Sequence, residues 1–353
     1  MAQHRNLILA LAAITFTSTA IADDTASADA AQAPADAVET AANTTETVSE
    51  RQSSAIAKTA GVYATYQTDV TSAKSKPLSS TKDIDRTLTD LGSHNPDQLT
   101  QSWLAYSALV AAQDPEYRAA VRDIEGFYGR DRLLTGMRND LRYARSLGGA
   151  DNAVSAALTA IEADSDRLQD VAAYMKEQAY TLQGAGWAKA RVASSGAKAD
   201  QLNAAAAVGQ APDAPLVAAL ISADMESAFR TAGVAGAPSM WENVSTVGGS
   251  IRVPGFVADA ITADQSPQVR YGKERTADRI ATLAAFHAIG VGNDDMAQLQ
   301  TALSDRDTRG CLNMANLNLQ QCVAAAHQHH ELPFCISQHA LSEIGDCIGD
   351  VAQ

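Results

Sequence analysis

Apolar positions recur three and four residues apart from Ile56 almost to the end of the chain, the spacing of one face of an α-helix. Ile56, Tyr63, Tyr66 and Val70 form a first stripe, and Ile84, Leu88 and Leu91 a second that Gly92 closes. Asn95-Pro96 and Asp114-Pro115 each join a capping side chain to a proline at the first helical position, so a helix is expected to start at each. Leu99, Trp103, Tyr106 and Val110 line the first of these, and Tyr117, Val121, Ile124 and Tyr128 the second. The pattern then predicts a helix from Arg130 to Leu147, ended by Gly148-Gly149. A long one follows from Ala150 to Gln183 through Val154, Leu158, Ile161, Leu168, Val171 and Met175.

The period is lost over Gly184 to Pro215, which is rich in Ala, Gly and Ser, and returns as a helix from Leu216 to Thr231. Pro238, Gly248-Gly249, Pro254, Gly255 and Pro267 interrupt residues 234–272. Within that segment Val244 to Val247 and Ser250 to Val253 are expected to pair as a small β-hairpin across the two glycines. Helices resume at Lys273 to Ile289 and Asp294 to Leu303. Two last ones run from Asp307 to Ala326, striped by Leu312, Leu319 and Val323, and from Phe334 to Ile348, striped by Leu341, Ile344 and Ile348. So short a connection packs its helices antiparallel. The fold class is all-α, a multi-helix bundle with a terminal helical hairpin and no repeat of fixed period.

The four cysteines, Cys311, Cys322, Cys335 and Cys347, all lie on that hairpin. A disulfide needs Cα atoms about 4.4–6.8 Å apart. Cys311 and Cys322 on one helix would be about 16 Å apart, and Cys335 and Cys347 on the other about 18 Å. Neither local pair can close. In an antiparallel hairpin, Cys311 with Cys347 and Cys322 with Cys335 agree in register to within one residue, whereas the crossed pairing is out by several turns. The expected bridges are therefore Cys311–Cys347 and Cys322–Cys335. The same register places Ala315 opposite Ser342 and Asn318 opposite His339. The arrangement resembles the paired-disulfide hairpin of twin Cx9C proteins, with loops of Cx10C and Cx11C here, and the likeness implies architecture alone. Tetrahedral zinc sites usually bring close C-x2–4-C pairs instead.

Composition changes the picture at the other end. Residues 1–22 combine Arg5, an apolar run from Leu7 to Phe16 and a small-x-small ending, Ala20-Ile21-Ala22, which reads as a cleaved secretory signal. Residues 23–55 are expected to form a disordered acidic tether, with seven acids and one base between Asp23 and Ser54. A helical bundle is expected over 56–305, and the four-cysteine hairpin, packed on it, over 306–353. The formal charge is −14, and losing Arg5 with the leader carries it to −15. Such acidity argues against nucleic acid and anionic membrane surfaces as partners. No later run of eighteen apolar residues suggests a membrane span. The expected location is the periplasm or beyond the cell, where disulfides persist.

Candidate chemistry is sparse. His327, His329, His330 and Glu331 cluster in the hairpin turn, with His327 and His330 three apart on one face; His327, His330 and Glu331 are the candidate ligands for Zn or Cu. The plainer reading is a solvated polar turn. Glu116 to Arg145 holds seven arginines against five acids. Arg138, Arg142 and Arg145 are expected on one helix face near Tyr143, where guanidinium forks and aromatic rings suit a partner's carboxylates, phosphates or sugars. The plainer reading pairs these arginines with Asp123, Asp131 and Asp140 or with the acidic tether. Ser79-x-x-Lys82 and Ser195-x-x-Lys198 match a Ser–Lys nucleophile spacing without a mixed sheet to carry it. His287, set among Leu283, Phe286 and Ile289, reads as a satisfied core histidine. Trp241, Arg252 and Tyr271 fall in the irregular segment, where binding residues often sit. No Gly-rich phosphate loop and no H-E-x-x-H is present. The expected function is a non-catalytic, exported binding or structural protein with a protein or envelope component as partner. A metal-binding protein and a cell-wall hydrolase are the alternatives.

Overall fold

From Ser102 to its end, helix α3, Pro96–Ala111, is covered on every side. Asn95 accepts the Gln98 N–H at 2.9 Å to start it, and Pro96 fills the first position, where no amide partner is needed. Its large residues Leu99, Trp103, Tyr106 and Val110 are buried, as the periodicity predicts, but so are Ser102, Ala105, Ser107, Ala108 and Ala111 on the remaining faces. A helix without a polar face belongs in the middle of a bundle. The serines are tolerated there because Ser102 and Ser107 donate to the carbonyls of Leu99 and Trp103. The computed structural model describes residues 54–243, 245–247, 250–252, 266–292 and 296–353; the leader and the tether lie outside them.

Around α3 pack α1 (Ala55–Ser75), α7 (Ala150–Leu182), α12 (Glu274–Ala288) and α14 (Arg306–Ala325). The outer layer takes α2 (Thr81–Gly92), α4 (Pro115–Tyr128), α5 (Arg130–Asn139), α6 (Arg142–Arg145), α8 (Ser195–Val208), α9 (Ala214–Leu220), α10 (Ala223–Ala232), α11 (Met240–Asn243) and α13 (Met296–Leu303). The expected hairpin forms, with β1 (Ser245–Val247) antiparallel to β2 (Ser250–Arg252) and Thr246 opposite Ile251. Its expected ends Val244 and Val253 lie outside the described residues. At the α6–α7 turn Gly149 has φ +74°, and a Cβ there would stand 2.4 Å from the Tyr117 amide nitrogen. Glycine is required on both counts.

Both disulfides form as the register argument requires. Cys311–Cys347 and Cys322–Cys335 each have Cα atoms 5.6 Å apart. The second rod begins at Leu332, two residues earlier than periodicity suggests. It comprises α15 (Leu332–Cys335), a π-helical stretch (Ile336–Ser342) and α16 (Glu343–Gly349). A π turn displaces backbone carbonyls from their usual partners, and side chains from the bundle take them up. Tyr66 Oη donates to the Ala340 carbonyl at 3.0 Å, and Gln169 Nε2 to that of Ser342 at 3.0 Å. Ser165 Oγ donates to the Gly345 carbonyl at 2.9 Å, and Ser337 Oγ returns a bond to Ala172 O at 2.7 Å. Leu312, Leu319, Val323, Leu341 and Ile348 are buried in the same core as the bundle. Asn318 and His339 do not bond each other directly: both reach Glu343, at 3.0 and 2.9 Å.

Three predicted elements differ. The helix expected over Arg130 to Leu147 breaks at Asp140, whose backbone is extended and whose carboxylate accepts the Arg142 N–H at 3.1 Å. A local aspartate turn competes successfully with the helix there. Leu216 to Thr231 is two helices, because Ser222 turns extended and bonds back to the Ala219 carbonyl. The Ala/Gly/Ser-rich stretch contains α8, which lays Ala199, Leu202 and Ala206 against the bundle. Its apolar side is mostly alanine, too weak a stripe for periodicity to register.

Replacing Cys311 and Cys347 together by Ala is expected to lower stability by about 4 kcal/mol, and replacing Cys322 and Cys335 by about 3 kcal/mol, because the outer bridge closes the longer loop. Urea unfolding of the two double variants checks both the size and the order of the losses.

Candidate functional site

The histidine turn does not have the geometry its spacing suggests. His327 and Gln328 are in extended chain, and only His329–Glu331 form a short 3₁₀ turn, so His327 and His330 do not share a helix face. Gln328 pairs as a β-bridge with Arg191, and the His327 carbonyl accepts the Val192 N–H at 2.9 Å. Glu331 turns back to accept the backbone N–H of His327 at 2.6 Å, and His330 Nδ1 lies 3.3 Å from the Ala188 carbonyl. Pairing with the 190–192 segment overrides helical spacing. Among the described residues no three His, Cys, Asp or Glu side chains gather as a metal-ligand set.

The arginine region is also rearranged. With the helix broken at Asp140, Arg138 lies on α5 and Arg142 and Arg145 on α6, so the expected shared face does not exist. Arg138 donates to Gln298 at 3.0 Å, Arg142 pairs with Asp140 at 3.1 Å, and Arg145 reaches Asp278 at 3.3 Å. Tyr143 is partly buried against the core. Of the acids expected to pair, Asp140 does so; Glu226 takes Arg118, and Glu125 takes Arg130. What the region exposes instead is the α4–α5 corner. Phe127 is 79% and Tyr128 50% exposed, their rings edge-to-face with centroids 4.8 Å apart, and Arg132 on α5 is exposed too. Tyr128 therefore leaves the core face that sequence assigned to it.

The Ser–Lys spacings do not become dyads. Ser79 Oγ donates to Asp83 at 2.8 Å in the cap of α2. Ser195 Oγ donates to the Ala324 carbonyl at 3.0 Å, and Lys198 is held by Asp85 at 2.7 Å. His287 is only half-buried, with Nδ1 3.2 Å from Ser54 Oγ, and borders an open cleft rather than the core. Ser54 Oγ also accepts the Ala57 N–H as the cap of α1. Tyr271 is 91% exposed, whereas Trp241 is buried.

Sequence reasoning missed the most concentrated buried chemistry. Asp164 on α7 is sealed in the core and accepts Tyr63 Oη at 2.9 Å, Trp241 Nε1 at 3.1 Å and the Ser239 hydroxyl. One turn on, buried Arg167 donates to the Gln67 side chain and, at 2.6 Å, to Thr71 Oγ1. Tyr63, Tyr106 and Trp241 stack around them with centroids 5.1–6.0 Å apart. The signal was present: Asp164 falls on the same helical stripe as Ile161 and Leu168. Burial pushes the Asp164 carboxyl up to about 6, opposed by the bonds from Ser239 and Tyr63 and by the Arg167 charge. The site is closed to solutes, so its work is to tie α1, α7 and the 239–241 segment together.

No protein-family model, curated protein or solved structure matches the chain. The two disulfides fit a non-reducing, extracytoplasmic environment. No described helix is long and apolar enough to cross a membrane.

Because folding raises the Asp164 pKa, the folded state binds this proton more tightly than the unfolded chain. Its contribution is fully present below about pH 4 and is lost as pH rises to about 6, roughly 3 kcal/mol in all. In urea unfolding between pH 4 and 7, Asp164→Asn is expected to lose that falling slope relative to the unaltered chain. An identical pH profile for the two would show that Asp164 does not titrate in this window.

Proposed function

We propose that this chain is an exported, non-catalytic binding protein, released by cleavage after Ala22 into the periplasm or beyond. Its docking surface in this reading is the α4–α5 corner, and its partner is a protein with an acidic surface. The observation that supports it is the solvent-exposed Phe127–Tyr128 pair, within a segment that carries more arginine than acid on a chain of −14. Exposed aromatic rings cost solvation unless a partner covers them, and aromatic and arginine side chains dominate protein interfaces. Gly129, with φ +83°, ends α4 just after Tyr128, so the rings stand at the turn between α4 and α5. The excess of arginine there opposes the charge of the rest of the molecule, which favours an acidic counterpart and disfavours self-association through this corner.

With a photo-crosslinking amino acid at position 127, the exported protein is expected to give one discrete adduct. Unaltered protein should compete it away and Phe127→Ala/Tyr128→Ala should not, with affinity lower by about 30-fold, the scale of an interface hot spot. The adduct should also fade as salt is raised. An adduct equally competed by the double variant, or insensitive to salt, would remove this corner as the docking surface. Amino-terminal sequencing that starts elsewhere than Asp23 would remove the proposed cleavage.

A further inference from the structure

A second region of the surface is concave and differently built. Where α4, α9, α10 and α12 meet, a cleft of about 120 Å³ opens to solvent. By the size of a water-sized probe this is room for about ten non-hydrogen atoms. Its apolar lining includes Leu109, Leu220 and Phe229. Its polar lining comes from both ends of a charge series: Arg118 and Arg122, one turn apart on α4, face Glu226 on α10 and Gln113 just ahead of α4. His287 and Ser54, bonded to each other, complete the rim.

Three details say what this lining lacks. Arg122 is exposed and has no ion-pair or hydrogen-bond partner among the described residues. The Arg118–Glu226 pair is loose, at 3.5 Å with both side chains about one third exposed (32% and 33%). Gln113 Oε1 is buried without a donor, although its Nε2 bonds the Leu109 carbonyl at 3.0 Å. An unmet acceptor at such depth is costly.

We propose that this cleft is a binding site for a small zwitterion, an α-amino acid with an apolar side chain. Two guanidinium groups one turn apart converge on its carboxylate. Its ammonium pairs with Glu226, which the incoming carboxylate displaces from Arg118. Its side chain covers Leu220 and Phe229. The charges choose this class over other anions. Two arginines and one glutamate sum to a single positive charge, which suits one carboxylate; a phosphate dianion would set its second charge against Glu226. A simple carboxylic acid would leave Glu226 unanswered. The inference stands apart from the α4–α5 corner and its protein partner, since neither Phe127 nor Tyr128 lines the cleft.

The test is calorimetric titration of the full mature chain with D- and L-leucine. The controls are 4-methylpentanoate, which lacks the ammonium, 3-methylbutylamine, which lacks the carboxylate, and inorganic phosphate. One leucine enantiomer is expected to bind, with both half-ligands and phosphate weaker by about tenfold or more, the worth of a lost charged hydrogen bond. Arg122→Ala, at an exposed and unpaired position, should fold normally and weaken leucine by at least about tenfold. Glu226→Gln should weaken leucine and leave 4-methylpentanoate no weaker. No heat with either enantiomer up to roughly 10 mM, a limit weaker than most specific small-ligand sites, would overturn the proposal. So would half-ligands or phosphate binding as tightly as leucine, or binding indifferent to Arg122→Ala.

Discussion

A helix that is apolar or small on every face imposes the architecture. From Ser102 on, Pro96–Ala111 has no side to offer to water, so the chain must supply helices all round it, and α1, α7, α12 and α14 do so. Alanine and serine on its secondary faces let these neighbours come close, while Trp103 and Tyr106 fill the wider gaps. The core that results is continuous from α1 to the last rod, and the terminal hairpin is a wall of it rather than an appendage.

The wall is held by two kinds of bond that act at different points. The disulfides limit the unfolded chain and fix the register of α14 against the final rod. Hydrogen bonds from Tyr66, Ser165 and Gln169 then join that rod to the bundle by the carbonyls of its π-helical and α16 segments. On the same two helices, the Asp164–Arg167 network does the same for α1, α7 and Trp241. Such a network is specific because a displaced helix would leave charge buried without a partner.

The outer layer leaves two features at its surface. At the α4–α5 corner two aromatic rings stand in solvent. Where α4, α9, α10 and α12 meet, a cleft opens whose charges are only partly matched. The first is the proposed site for a protein face and the second for a small zwitterion.

Periodicity and capping chemistry are local, and they were enough for the all-helical class, the starts at Pro96 and Pro115, and the run of α7. Cysteine register needed only the rise of a helix and antiparallel packing, which is why both bridges followed from residue numbers. What misled were places where a local turn or a bond to a distant segment competes with helical spacing: Asp140 splitting the arginine face, Ser222 splitting a helix, and Val192 holding the His327 carbonyl. The Asp164 network and the cleft join residues as far apart as Tyr63 and Trp241, or Gln113 and Glu226. Spacing along a chain carries no information about which helix faces meet across a bundle, so those sites were decided by packing alone.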